Sequence, residues 1–175
     1  MKEIAIIGST ASGKTALSLQ IASITNSIIL SLDSLCVYKD IEIASAKPTL
    51  EERGDIVHFG IDEVFPNVDF DVIKFIELYK KTKDYALKNG KNLIIVGGTG
   101  FYLKALIEGL SQGVDSKIKL DIPQDEAYDL LYSLDKEYMK KIEKNDRYRI
   151  EKAYAIYKQT DLSPTSYFEK NPKIP

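Results

Sequence analysis

Eight residues near the start of the chain have the types and spacing that bind phosphate groups. The segment GSTASGKT, residues 8–15, matches the pattern G-x-x-x-x-G-K-[S/T] at every fixed position. Glycines let the backbone curl so that successive N–H groups point inward, and a following helix directs its positive end to the same place. Lys14 would add a charge for the outer phosphates, and the Thr15 hydroxyl would face a Mg²⁺ ion. We therefore predict a phosphate-binding loop at residues 8–15.

Two further candidate groups follow predicted buried strands. Asp33 comes directly after the apolar run 27–32, and Thr99 lies in the GGTG segment that follows the run 92–96. In an open parallel sheet, the carboxyl ends of the strands form the edge where ligands bind. ATPases and GTPases of this type normally carry a strand that ends in aspartate, which holds Mg²⁺. The run 92–96 ends in glycines instead, so Asp33 is predicted to be either a metal organiser or a base.

The surrounding pattern supplies the elements that position these groups. Strands are predicted at residues 4–7, 27–32, 56–64 and 92–96, and helices follow the phosphate loop, Asp71 or Asp69, and Phe101. This alternation predicts an α/β fold with a parallel sheet flanked by helices. The helix after the loop is predicted from Leu17, Ile21 and Ile24, which recur at i, i+4 and i+7. Beyond a polar stretch, apolar spacing over residues 127–142 predicts a helix of about five turns, and another helix follows residue 146.

Composition sets limits on the function. The 175 residues carry a formal net charge of -2, which argues against a general nucleic-acid coating protein. The single cysteine excludes an internal disulfide and favours a reducing cytoplasm. Residues 136–152 differ from the rest, because they hold seven basic and four acidic residues with Tyr138 and Tyr148 between them. This stretch is equally typical of an RNA-binding surface and of a solvated helix face.

Four segments taken in order resemble the tRNA dimethylallyltransferase family: GSTASGKT, DSLCVYKDIEIASAKPT, IIVGGTGFYLKALIEGL and NDRYRIEKAYAIYKQT. They extend from Gly8 to Thr160 and cover nearly the whole chain. The resemblance implies transfer of a dimethylallyl group from its diphosphate to N6 of the adenosine 3′-adjacent to the tRNA anticodon. It also implies a P-loop kinase-like core, residues 1–110 and 146–175, and a helical insertion at 111–145 that binds tRNA. Family members usually continue further, so the chain is expected to be a C-terminally truncated member.

The resemblance further implies roles for individual residues. Asp33 and Thr99 would be catalytic, and a Mg²⁺ ion would bind at Thr15. The diphosphate would be held by loop residues Gly8, Thr10, Ala11, Ser12, Gly13, Lys14 and Thr15. The tRNA would contact Asp33, Ser34, Leu35, Cys36, Arg147, Tyr148, Arg149, Ile150, Glu151 and Lys152. Cys36 and Lys152 depart from the family pattern, which usually has glutamine and arginine there.

The resemblance also implies a cytoplasmic monomer with tRNA and dimethylallyl diphosphate as its partners. Three alternatives remain at this point. An adenylate isopentenyltransferase shares the loop and the aspartate but modifies a free nucleotide. A P-loop small-molecule kinase would use the loop for ATP, although an arginine-rich lid is expected there and the chain has three arginines. The third alternative is a binding module for nucleotides or RNA that has no catalytic activity.

Overall fold

The computed structural model describes residues 1–41, 47–111, 113–114 and 118–174. The chain divides into two compact units, Met1–Ile107 and Glu108–Pro175. The predicted core and insertion have different bounds, and that assignment remains a prediction. Gln112 and residues 115–117, which belong to the predicted insertion, lie outside the described residues.

The first unit is built on a parallel sheet. Its strands are β1 Glu3–Ile7, β2 Ser27–Leu32, β3 His58–Phe59 and β4 Asn92–Gly97, in the spatial order β1-β4-β2-β3. All pairs are parallel, with Ile4 opposite Ile94 and Leu30 opposite Ile95. Because β2 has neighbours on both sides, all six of its residues are buried. The predicted parallel sheet is confirmed, although the strand predicted at 56–64 is reduced to two residues.

Among the described residues, four helices accompany this sheet: α1 Lys14–Thr25, α2 Leu50–Arg53, α3 Val72–Lys88 and α4 Gly100–Glu108. The predicted cap of α3 is Asp71, whose Oδ1 accepts the N–H groups of Ile73 and Lys74, each at 3.0 Å. These bonds satisfy two of the donors that a helix leaves open at its start. The three predicted helices therefore form as α1, α3 and α4, whereas α2 was not predicted.

The helix predicted after the phosphate loop is confirmed as α1, although of Leu17, Ile21 and Ile24 only Ile21 packs against the core. Leu17 and Ile24 are 48% and 83% exposed, whereas Ser18 and Ala22 are buried. Ala22 packs against Ile29 of β2 and Ile94 of β4. Small side chains at positions 18 and 22 let the helix lie close to the sheet, and this close packing fixes the position of the phosphate loop that precedes α1.

The second unit is helical in its described part. Its helices are α5 Gln124–Leu134, α6 Lys136–Met139, α7 Arg147–Thr160 and α8 Pro164–Lys170. Leu131, Met139 and Ile150 are fully buried in its core. The predicted five-turn helix at 127–142 is wrong, because Asp135 has φ of -149° and separates α5 from α6. Within the described ranges, no helix is long and apolar enough to cross a membrane.

Candidate functional site

A pocket of about 130 Å³ lies at the carboxyl edge of the sheet in the first unit. Residues of the predicted loop and the strand ends line it: Thr10, Ala11, Lys14, Thr15, Asp33, Cys36, Gly97 and Gly98. Its remaining walls come from Ser18, Ile29, Ser31, Pro48, His58, Ile61 and Val96. The fold therefore brings a phosphate-binding loop and a carboxylate to a single mixed polar and apolar pocket.

The loop has the backbone conformation that an anion cradle requires. Ala11 and Gly13 have positive φ angles of 61° and 80°, and α1 begins immediately afterwards at Lys14. Successive N–H groups in such a curl point to a common centre, where the helix dipole also favours negative charge. The Lys14 ammonium donates to the Ser9 carbonyl and lies 3.4 Å from Ser12 Oγ. The Lys14 ammonium thus contacts the loop's own residues instead of pointing away from it.

Ser12 and Gly13, with Lys14 and Thr15, also line a second groove on the outer side of the loop. Gly8 is packed tightly, since a Cβ there would lie 3.1 Å from Ser12 Oγ. Gly8 does not line the first pocket, and its predicted contact with the diphosphate stays a prediction.

Asp33 is held in place by the turn that it begins. Its Oδ1 accepts the N–H groups of Leu35 at 2.8 Å and Cys36 at 3.3 Å. Such bonds from an aspartate to the backbone that follows stabilise a tight turn. Within the described part of the chain, no protein group donates to Oδ2. One carboxylate oxygen therefore fixes the turn, and the other remains available to a ligand in the pocket.

Thr99 is at the same sheet edge but does not line this pocket. Its backbone N–H donates to the Leu32 carbonyl at 3.2 Å, and its own carbonyl accepts from Tyr102. Ser34 and Leu35 are exposed on the turn, outside the lining of the pocket. The roles predicted for these three residues stay predictions.

His58 and Cys36 also line the pocket. Burial lowers the pKa of His58 from its ordinary value, although the hydrogen bond of its Nδ1 with the Ile56 carbonyl, at 2.8 Å, acts in the opposite direction. Burial, aided by the Asp33 carboxylate, raises the pKa of Cys36 to about 11, which keeps it a neutral thiol. The sequence analysis missed His58 and the lining residue Ser31. For Ser31 a signal was available: it lies two residues after Ile29, so both side chains are on the same face of β2.

The second unit carries the predicted tRNA-binding residues of α7. Tyr148 is 69% exposed, and the Lys152 ammonium lies 5.5 Å from the centre of its ring. Arg147 pairs with Glu151 at 3.0 Å, and Arg149 pairs with Asp146 at 2.9 Å. Both arginines and Tyr148 are therefore on the solvated face of the helix.

Ile150 differs from its neighbours on α7. Its side chain is fully buried in the core of the second unit and packs with that core instead of facing solvent. Its side chain anchors α7 to this core, and its predicted contact with tRNA stays a prediction.

No cluster of three or more histidine, cysteine, aspartate or glutamate side chains that could hold a metal occurs among the described residues. Thr15 and Asp33 do line the same pocket. Magnesium prefers oxygen ligands and usually keeps several waters, binding through few protein groups together with substrate phosphates. The residues present fit that kind of site and not an all-protein metal cage.

Sequence comparisons connect this chain with a group of RNA-modifying enzymes. A family model described as IPP transferase matches residues 36–175. The tRNA dimethylallyltransferase of Aliarcobacter butzleri is 83% identical over 175 residues, covering 100% of this chain and 60% of the relative. That of Sulfurimonas denitrificans is 50% identical over 183 residues, covering 100% of this chain and 61% of the relative. The chain thus spans about three fifths of the length of these curated relatives.

Solved structures give the same grouping. A eukaryotic dimethylallyltransferase acting on tRNA superposes with a TM-score of 0.79 at 28% identity, over 99% of this chain and 46% of that one. The tRNA isopentenylpyrophosphate transferase of Bacillus halodurans gives a TM-score of 0.63 at 32% identity, over 93% and 57%. The predicted P-loop kinase-like α/β fold is therefore confirmed.

Proposed function

Because the chain belongs to the IPP transferase family, we propose that it serves in the transfer of a dimethylallyl group from dimethylallyl diphosphate to tRNA. The acceptor is N6 of the adenosine 3′-adjacent to the anticodon. The observation that carries this proposal is the pocket in which the phosphate loop and Asp33 face one another. The relatives described above are tRNA enzymes, and no observation favours a free-nucleotide acceptor or a kinase.

In this proposal the loop holds a leaving group. The allylic C–O bond of the substrate breaks, a C–N bond to the adenine forms, and inorganic diphosphate departs. Negative charge grows on the diphosphate as the bond breaks. The loop amides and the Lys14 ammonium stabilise that charge. In many enzymes, fixed donors of this kind make the largest single contribution to transition-state stabilisation. Lys14 must leave its contacts with Ser9 and Ser12 to reach the outer phosphate oxygens.

Asp33 provides the acceptor for a proton of the adenine. The amino group at N6 is a weak nucleophile, and it must lose a proton once the new bond has formed. Oδ1 is occupied by the turn, so Oδ2 accepts the hydrogen bond from N6, orients it and takes its proton. We assign Thr99 to the diphosphate oxygens at the neighbouring strand end.

Magnesium completes the proposed site. Thr15 would hold it by its hydroxyl, next to the substrate phosphates, and the ion would supply positive charge against the leaving diphosphate. Lys14 and the loop amides act on the same oxygens. The chain's own contribution is to orient the diphosphate and to exclude water around the allylic carbon with Ile29, Ile61 and Val96.

The tRNA contacts are proposed for the exposed face of α7 and for the turn after β2. Arg147, Arg149 and Lys152 would meet phosphates, and Tyr148 would stack on a base. The target adenine lies in a tRNA loop and must leave its stack to reach a pocket at a sheet edge. We expect this reaction in the cytoplasm and a monomeric protein.

The replacement Asp33→Asn tests the proposal. Asparagine keeps an oxygen for the N–H groups of Leu35 and Cys36, so the turn survives while the proton acceptor is lost. Single-turnover prenyl transfer should fall about 10²- to 10⁴-fold, and tRNA affinity should stay within twofold. Asp40→Asn, at an exposed carboxyl on the same segment, is the control. Unchanged turnover in Asp33→Asn would contradict the proposed role of Asp33 as the proton acceptor, and the absence of prenyl transfer in the parent would favour a binding module.

A further inference from the structure

An ion pair between a buried lysine and a partly exposed aspartate supports the turn that carries Asp33. The Lys47 side chain is 4% exposed and that of Asp62 is 42% exposed. The Lys47 ammonium lies 2.6 Å from Asp62 Oδ1 and also donates to the Tyr38 carbonyl. The other oxygen of Asp62 is 3.7 Å from the Arg53 guanidinium. Removing an ammonium from water is unfavourable unless it is well paired, and Asp62 and Tyr38 supply that pairing.

The ion pair connects to Asp33 by a short series of hydrogen bonds. The Asp62 N–H donates to the Cys36 carbonyl at 3.1 Å, and the Cys36 N–H donates to Asp33 Oδ1 at 3.3 Å. Next to this series, Glu63 and Val64 both donate to the Val37 carbonyl, at 2.8 and 3.1 Å. Residues 62–64 thus hold the turn along its length. The ammonium of Lys47 bridges the two segments, since it binds Asp62 in one and Tyr38 in the other.

Asp62 adopts a conformation that needs this support. Its φ is +56°, in the left-handed region that side chains other than glycine rarely occupy. Such a residue persists where its surroundings over-determine it, and such places are frequent near functional sites. Here the contacts of the carboxylate with Lys47 and Arg53, together with the N–H bond to the Cys36 carbonyl, stabilise the left-handed conformation of Asp62.

From this geometry we propose that Lys47 is a positioning residue for Asp33. Through Asp62 and Tyr38 it fixes the turn at residues 33–38, and so keeps the Asp33 carboxylate at the pocket beside the phosphate loop. The proposal rests on the proposed function only for what Asp33 does there. The effect of the ion pair on the turn is a property of the chain that needs no substrate.

Cys36 offers a direct probe of the turn. It is the single cysteine of the sequence, it lies inside the turn, and it is buried. A thiol reagent such as dithionitrobenzoate reaches it when the turn opens, so the reaction rate at fixed pH measures local opening. Lys47→Met keeps the length of the side chain and removes the charge. The rate should rise by roughly tenfold or more, whereas the urea midpoint should change little.

Lys83→Met is the matched control, because Lys83 pairs with Glu3 at 3.1 Å in the same unit but contacts neither the turn nor the loop. Its Cys36 rate should equal that of the parent. Asp62→Asn is a second variant that breaks the same pair from the other side, and it should also accelerate the reaction. The proposal would be overturned if the rate of Cys36 modification were unchanged in both variants. It would also be overturned if the rate rose only as much as the measured loss in the free energy of unfolding accounts for. Unfolding of both variants would overturn it too, because it would show a general structural role.

Prenyl-transfer kinetics add a second readout. Lys47→Met should lower kcat by about 10- to 100-fold, because a small displacement of a reacting group has that effect. KM for dimethylallyl diphosphate should stay within twofold, since the phosphate loop is untouched. An equal change in both parameters would contradict a positioning role. Faster thiol reaction without any prenyl transfer in the parent would leave the ion pair's role intact and contradict the proposed function instead.

Discussion

Gly97 at the end of β4 lies so close to Leu32 at the end of β2 that no side chain fits between them. A Cβ on Gly97 would be 2.9 Å from the Leu32 Cα and closer still to its carbonyl group. The same carbonyl accepts the Thr99 N–H at 3.2 Å, and Leu32 is followed directly by Asp33. This close approach therefore fixes the end of β2, and Asp33, the proposed catalytic residue, follows directly after it. Glycine at position 97 thus serves the packing of the two strands.

Gly97→Ala should separate the two strand ends. We expect a loss of about 2–4 kcal/mol in the free energy of unfolding, the range of severe backbone or core substitutions. Urea unfolding followed by circular dichroism measures it. Gly98→Ala is the control, because a Cβ at that position meets nothing nearer than the Gly8 carbonyl at 3.6 Å. Equal losses in the two variants would contradict the special packing at Gly97.

Lys14→Ala tests the leaving-group role of the loop. Removing the ammonium should weaken binding of inorganic diphosphate and lower prenyl transfer by about 10²-fold or more, the usual effect of losing one charge-stabilising donor. Affinity for tRNA should stay nearly the same. Calorimetry with diphosphate and filter binding with tRNA measure the two effects, and Lys91→Ala controls for the lost charge. Equal loss of both affinities would mean that the loop also builds the RNA site.

Tyr148→Ala tests the proposed RNA surface of α7. The exposed ring should stack on a base, and its removal should weaken tRNA binding by about 1–3 kcal/mol, the usual value for one stacked base. Tyr148→Phe retains the ring and should bind as the parent does. Fluorescence titrations at fixed salt concentration compare the three proteins. Identical affinities for all three would indicate a solvated helix face without an RNA contact.

Asp135 should control the acid stability of the second unit. Although burial by itself opposes the charge, N–H groups of Thr165 and Tyr138 bind the carboxylate and leave its pKa below the usual value. A depressed pKa adds stability that is present above the ordinary aspartate pKa and is lost as the pH falls through the folded-state value. Asp135→Asn should therefore cost about 1–2 kcal/mol at pH 7 and progressively less on acidification.

Thermal unfolding between pH 7 and pH 3 measures this difference for Asp135→Asn. Asp125→Asn, at an exposed carboxyl in the first turn of α5, is the control and should lose no more than about 0.5 kcal/mol, the contribution of an exposed charge at a helix N-terminus. A constant difference between Asp135→Asn and the parent over the whole range would contradict a role for the ionised carboxylate.

Local pattern was sufficient for the elements that carry the loop and Asp33. Apolar runs and cap residues such as Asp71 act over a few neighbours, so the parallel sheet, its flanking helices and the positions of the loop and Asp33 were predictable. The break at Asp135 was not, because apolar spacing continues through it and its carboxylate is bound by Thr165, 30 residues further along the chain.

The support around the pocket depends on contacts between distant segments, and a single sequence does not show these. Lys47 and Asp62 are 15 residues apart, with no pattern that links them. His58 enters the pocket because β3 pairs with β2. The buried face of α1 follows from its close packing on the sheet, which favours Ser18 and Ala22 over larger apolar neighbours.

We propose that the loop and Asp33 serve prenyl transfer to tRNA, and an acceptor assay distinguishes this reaction from its alternatives. Labelled dimethylallyl diphosphate and Mg²⁺ are offered together with tRNA, AMP and ATP, and the products are separated by nucleoside analysis. We expect label in tRNA as N6-dimethylallyladenosine, with AMP and ATP unchanged. Prenylated AMP without modified tRNA would contradict the acceptor, and ATP consumption without prenyl transfer would contradict the reaction itself.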